Sequence, residues 1–123
     1  MSNATPNRLD QHAVTLDVER SNRCGYPEVL YGEGKTPETI VAVARELLDR
    51  NERVLVTRVD AQKAAVASKL LPGMQYNPLA RCLRIDAPSY VQQPTLGQVA
   101  IITAGTSDLA VAEEARETLA WMD

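Results

Sequence analysis

Two segments hold the residues best suited to chemistry. The first is residues 99–108, VAIITAGTSD. An apolar strand that ends in a glycine-containing loop and enters a helix leaves free backbone N–H groups at a crevice, and the helix dipole adds positive potential there. Gly105 allows close approach of a phosphate. The hydroxyls of Thr103, Thr106 and Ser107 can donate to phosphate oxygens, with Ala104 as a loop neighbour. Asp108 can accept from a ribose hydroxyl or orient the loop. Ligands of open α/β sheets sit in this position, outside the carboxyl ends of parallel strands. The plainer reading is that Ser107 or Asp108 only caps the helix.

The second segment is residues 20–36, RSNRCGYPEVLYGEGKT. Arg20, Arg23 and Lys35 can converge on an anionic group, joined by Arg58 from the end of a strand, and Glu28 can fix an arginine fork. The plainer reading is a solvated, turn-rich surface. GEGKT superficially suggests a phosphate-binding P-loop, but the first glycine is missing at the required spacing. Glu113 and Glu114 read as favourable charge near a helix N-terminus. Cys24 and Cys82 have no CxxC partner, so neither a metal site nor a disulfide framework is expected. They read as small buried side chains rather than nucleophiles. The single His12 lies near the terminus, so no metal ligands and no histidine-based triad are assigned.

These residues need elements to hold them. Residues 28–31 suit a short strand. Thr36 and Pro37 open a helix with Ile40, Val43, Ala44, Leu47 and Leu48 on one face, ending near 49–51. Residues 53–59, RVLVTRV, form a β-branched run suited to a strand buried on both faces. Asp60 caps a second helix carrying Ala64, Val66, Ala67, Leu70 and Leu71, which Pro72 and Gly73 stop. Residues 74–85 are extended and interrupted at Asn77-Pro78. The order β-α-β-α-β predicts an α/β fold with a largely parallel sheet. Residues 86–97 form a linker containing Pro88 and Pro94. A new unit follows: a strand at 99–103, the AGTSD loop, and a helix presenting Val111, Ala112, Ala115, Leu119 and Met122 on one face. One strand and one helix cannot cover a buried strand, so this unit is expected to need further strands. The chain therefore reads as a fragment. The expected domains are a tag remnant and flexible arm at 1–14, an N-terminal α/β domain at 15–86, a linker at 87–97, and the start of a second domain at 98–123.

The 123 residues suffice for one modest core, and a net charge of −3 supplies no basic field for nucleic acid. No apolar run is long enough for a membrane span and no secretory signal is visible, so the expected compartment is the cytoplasm.

RSNRCGYPEVLYGEGKTPETI, then VLVTR, then AIITAGTSDLAVAEEA, resemble in order and spacing the LarB family. These are pyridinium-biscarboxylic acid mononucleotide synthases that serve lactate racemase maturation, some of them labelled circadian phase modifiers. The resemblance covers roughly residues 15 to 123. It implies that the second unit is the truncated start of a flavodoxin-like carboxylase domain related to aminoimidazole ribonucleotide carboxylase. It also implies that Gly105, Ser107 and Asp108 bind the nucleotide's phosphate and ribose. The implied reaction carboxylates the pyridinium ring of nicotinic acid adenine dinucleotide with carbon dioxide or bicarbonate and then releases AMP. Magnesium assists at the phosphoanhydride, no tightly bound cofactor is expected, and the full-length protein is expected to be a homo-oligomer. The family's cysteine nucleophile falls late in the full-length sequence, and neither Cys24 nor Cys82 matches it, so this chain alone is expected to be inactive. Two alternatives stand beside this reading: a non-catalytic docking or oligomerisation module, and a purine-pathway carboxylase or mutase. The latter fits less well, because it predicts the Gly-x-Ser-Asp loop near the start of the chain.

Overall fold

The structure is a computed structural model that describes residues 28–122. Arg20, Arg23, Cys24 and His12 lie outside the described residues. The order is β1 (Leu30–Tyr31), α1 (Pro37–Asp49), β2 (Val54–Thr57), α2 (Ala61–Leu70), β3 (Gln75–Asn77), β4 (Cys82–Ile85) and α3 (Leu109–Met122), the last preceded by a single 3-10 turn at Thr106–Asp108. The architecture is the expected mixed α/β domain.

Both early helices begin where the sequence places a cap. Thr36 Oγ1 accepts from the Thr39 N–H at 3.1 Å, and Pro37 occupies the first turn, where its missing N–H is harmless. Asp60 Oδ1 accepts from the Lys63 N–H at 2.8 Å. Helix α1 closes through Asn51 in the left-handed region (φ 60), with the N–H of Glu52 reaching Leu47 O at 2.9 Å. The α1 stripe of Ile40, Val43, Ala44 and Leu47 is buried. Ala64 and Ala67 are the buried residues of α2, small enough to let the two helices approach.

The sheet order is β1-β2-β4-β3. Strands β1 and β2 are parallel, as a crossover through α1 requires. The rest of the sheet departs from the largely parallel expectation: β4 pairs antiparallel with both β2 and β3. The interruption at 77–78 is the reason. Asn77 Oδ1 accepts the Ala80 N–H at 3.1 Å and Arg81 takes φ 55, so the extended stretch turns back as a hairpin instead of crossing over.

Strand β2 is buried along its whole length, as expected for a strand covered on both faces. Val54, Val56 and Leu83 join the α1/α2 core, whereas Leu55 and Cys82 pack with Ala80 and Trp121 on the opposite face. Each fully buried aliphatic side chain stabilises by about 1.5–3 kcal/mol.

Two expectations for the last unit are corrected. Residues 99–103 form no strand, and Val99 and Ile102 are exposed. No strand among the described residues pairs with them, and a strand without a neighbour has no ladder to stabilise it. Helix α3 does form, but Val111, Ala115 and Leu119 from its expected apolar face are exposed. Of that face Met122 packs against the Trp121 cluster, and the side toward the sheet otherwise carries Glu113, Glu114, Glu117 and Trp121, because one large aromatic and polar contacts with the sheet outweigh the remaining apolar residues.

Candidate functional site

The parallel pair β1/β2 ends in two loops, 32–36 and 58–60, each leading to the N-terminus of a helix. Gly32 permits this junction: its N–H donates to Thr57 O at 2.7 Å, and a Cβ there would lie 2.8 Å from that same oxygen. Lys63 Nζ donates to Gly32 O at 3.3 Å, and Lys35 Nζ to Tyr31 O at 2.5 Å. The Tyr31 hydroxyl donates to Glu33, which raises its pKa above the ordinary phenol value. A groove of about 530 Å³ lined by Pro37, Asp60, Gln62, Lys63, Ala65 and Val66 lies beside the two helix N-termini.

Arg58 sits at the end of β2 in the left-handed region (φ 58), a conformation that costs a non-glycine residue about 1 kcal/mol. Its Nε lies 2.8 Å from Glu114 Oε2 of α3, at ion-pair distance but without hydrogen-bond geometry. Of the three cations here, Arg58 is paired with Glu114, whereas Lys35 and Lys63 donate to the Tyr31 and Gly32 carbonyls. An anion arriving here must compete with Glu114 for Arg58.

Helix α3 runs antiparallel to β2. Arg53, just before β2, donates to Trp121 O at 2.5 Å near the helix C-terminus, while Arg58, just after β2, meets Glu114 nearer the helix N-terminus. The turn that precedes α3 therefore emerges at the same end of the sheet as the 32–36 and 58–60 loops. Gly105, at the N-cap of the 3-10 turn, has φ 156 and supplies no side-chain cap, and residues 103–108 are exposed. Of the residues singled out from sequence, Lys35 and Arg58 occupy the two loops of the parallel pair, and Thr103, Ala104, Gly105, Thr106, Ser107 and Asp108 form the turn beyond the same edge. Lys63 was missed. Its signal was legible: a lysine three residues after a helix cap sits against the dipole, an unusual place for a cation without a local acceptor.

Among the described residues, no three His, Cys, Asp or Glu side chains group to hold a metal ion. Cys82 is buried, and burial, with Glu114 and Glu117 nearby, pushes its thiol up to about 11, which disfavours the nucleophilic thiolate. A folded pKa above the unfolded value favours the neutral thiol, so this contribution to stability is complete below about pH 9 and is lost as pH rises through 11. At pH 8 iodoacetamide is expected to leave Cys82 unmodified in the native chain and to label it in urea. Peptide mapping checks this, and native labelling at the unfolded rate would contradict the burial.

Among the described residues, no helix is long and apolar enough to cross a membrane. Residues 8–87 match the LarB/PurE-like N-terminal domain family. An uncharacterized protein of Methanocaldococcus jannaschii is 36% identical over 114 residues, covering 89% of this chain and 44% of that protein. The chain thus spans less than half the length of this curated relative.

Proposed function

Because this chain belongs to the LarB/PurE-like N-terminal domain family, a carboxylase relationship, we propose that it forms part of an enzyme of nickel-pincer cofactor biosynthesis. That enzyme carboxylates the pyridinium ring of nicotinic acid adenine dinucleotide and cleaves its phosphoanhydride. Carboxylation replaces one ring C–H by a carboxylate and releases a proton; cleavage consumes one water and releases AMP.

The observation that carries this reading is the common end of the sheet. The exposed 103–108 turn, with its hydroxyls and its glycine, lies beyond the edge that holds Lys35, Arg58 and Lys63. The backbone N–H groups of such a turn suit phosphate, and lysines nearby add charge-assisted donors. Gly105, Thr106, Ser107 and Asp108 take the phosphate and ribose in this reading. The dinucleotide's own phosphates carry any magnesium to the site. The rest of the catalytic machinery belongs to the longer protein, which acts as a homo-oligomer.

The test is calorimetric titration of this chain and of the Methanocaldococcus relative with the dinucleotide and magnesium, together with an AMP-release assay. Binding is expected to weaken about tenfold, or roughly 1.4 kcal/mol, in Ser107→Ala. No binding and no AMP release by either protein would end the reading. A second reading, a docking or oligomerisation module, is favoured by the exposure of Leu96 and Ile102, at 97% and 92%. Concentration-dependent self-association without dinucleotide affinity would select it.

A further inference from the structure

Helix α3 is anchored to the sheet by the buried Trp121 and also makes four polar contacts with it. Asn77 Nδ2 donates to Glu113 Oε1 at 2.9 Å, and Arg58 Nε lies 2.8 Å from Glu114 Oε2. Arg84 approaches Glu117 at 3.8 Å, and Arg53 donates to Trp121 O at 2.5 Å. Residues 113, 114, 117 and 121 form one stripe at helical spacing. Each partner comes from a different place: the end of β3, the end of β2, the middle of β4 and the start of β2. Apolar burial at Trp121 anchors one end of the helix, but apolar contact is non-directional and leaves rotation and register open. The two hydrogen bonds, from Asn77 and Arg53, impose distance and angle, and the two ion pairs favour the register that brings opposite charges together. The two tethers nearest the 103–108 turn are Glu113 and Glu114, about 8–9 Å along the helix from Asp108 at 1.5 Å per residue. Over that length a helix transmits its orientation with little bending.

We propose that the β2-β4-β3 face is a cradle whose contacts with α3 set the orientation of the 103–108 turn, with Arg58 and Asn77 as positioning residues. The functional meaning of the cradle rests on the reading that this turn takes the nucleotide phosphate. The left-handed backbone at Arg58 fits the role: the same reversal that delivers Asp60 to cap α2 leaves the guanidinium beside α3 rather than in the strand ladder. The N-terminal domain then contributes to nucleotide recognition by holding another segment's phosphate loop.

The test uses amide NMR spectra and dinucleotide titration of the whole chain. Arg58→Glu and the milder Glu114→Gln are compared with the exchanged pair Arg58→Glu/Glu114→Arg. Both single variants are expected to shift the amide resonances of residues 105–108 while leaving Leu83 in β4 unmoved. Each is expected to weaken dinucleotide binding about five- to tenfold, as for coupled neighbours. The exchanged pair is expected to restore both readouts, a rescue that general destabilisation does not produce. Unmoved 105–108 amides in Glu114→Gln, or a failed rescue in the exchanged pair, would overturn the cradle. If the amides follow the exchange but no form binds the dinucleotide, the cradle stands and the nucleotide reading falls. If binding depends on Ser107 but ignores Arg58 and Glu114, the nucleotide reading stands and the cradle falls.

Discussion

Trp121→Ala is expected to cost about 3–5 kcal/mol and to release α3 from the sheet. Trp121 is 1% exposed and packs with Leu55, Ala80 and Cys82, the buried cluster on this face. Its removal opens a hole that the small neighbours Ala80 and Cys82 cannot fill. For a domain whose total stability is of the usual order, about 5–15 kcal/mol, that is a large fraction. Trp121 is also the single tryptophan of the chain, so in the parent its fluorescence reports docking of α3 during urea unfolding. In the alanine variant, amide exchange is expected to accelerate in α3 before it does in β2. Trp121→Phe is expected to cost less, for two reasons. The ring retains most of the contact. The indole Nε1, which is buried without a hydrogen-bond partner among the described residues, is removed together with its penalty. A loss of less than about 1 kcal/mol in Trp121→Ala would mean that burial of this ring does not hold the helix.

Gly32→Ala is the second large effect, expected at about 2–3 kcal/mol. The added methyl would stand 2.8 Å from Thr57 O and from Val59 Cγ2, and 3.1 Å from Val56 Cγ1. Thr57 O is the acceptor of the Gly32 N–H, and Val56 and Val59 are fully buried, so none of the three can yield without moving β2. The consequence reaches the candidate site, because Gly32 O is the acceptor of Lys63. Gly34 supplies the control. It has φ 77, and a methyl added there would meet no described atom within 4 Å, so Gly34→Ala is expected to cost only the conformational penalty, about 1 kcal/mol. Urea midpoints of the two variants separate crowding from backbone strain; equal losses would mean that the contact at Gly32 relaxes freely.

Much of the local structure was legible in the amino-acid sequence. Thr36-Pro37 and Asp60 open their helices as read, Pro72-Gly73 follows the end of α2, and the β-branched run at 54–57 is buried on both faces. Each of these depends on groups a few residues apart: a side-chain oxygen and an N–H three positions on, a ring that fixes φ, or an unbroken apolar run. The LarB-family relationship was equally legible, because it rests on residue types in order. Lys35 and Arg58 were recognisable as cations near strand ends, although the pairing of Arg58 with Glu114 was not.

Tertiary structure decided the rest. The direction of β4 depends on whether the stretch at 77–81 turns back or crosses over, and the Asn77 turn and the partner offered by β2 settle it together. The 99–103 run has strand composition but no strand, since a ladder needs a neighbour and composition cannot supply one. The side of α3 that faces the sheet carries the half-buried glutamates and the buried Trp121, because Arg53, Arg58, Asn77 and Arg84 are brought from four separate places to meet it. Local hydrogen bonding and hydrophobic period are written within a few residues of chain. Strand direction, the choice of packed face and the pairing of charges arise only where distant segments meet.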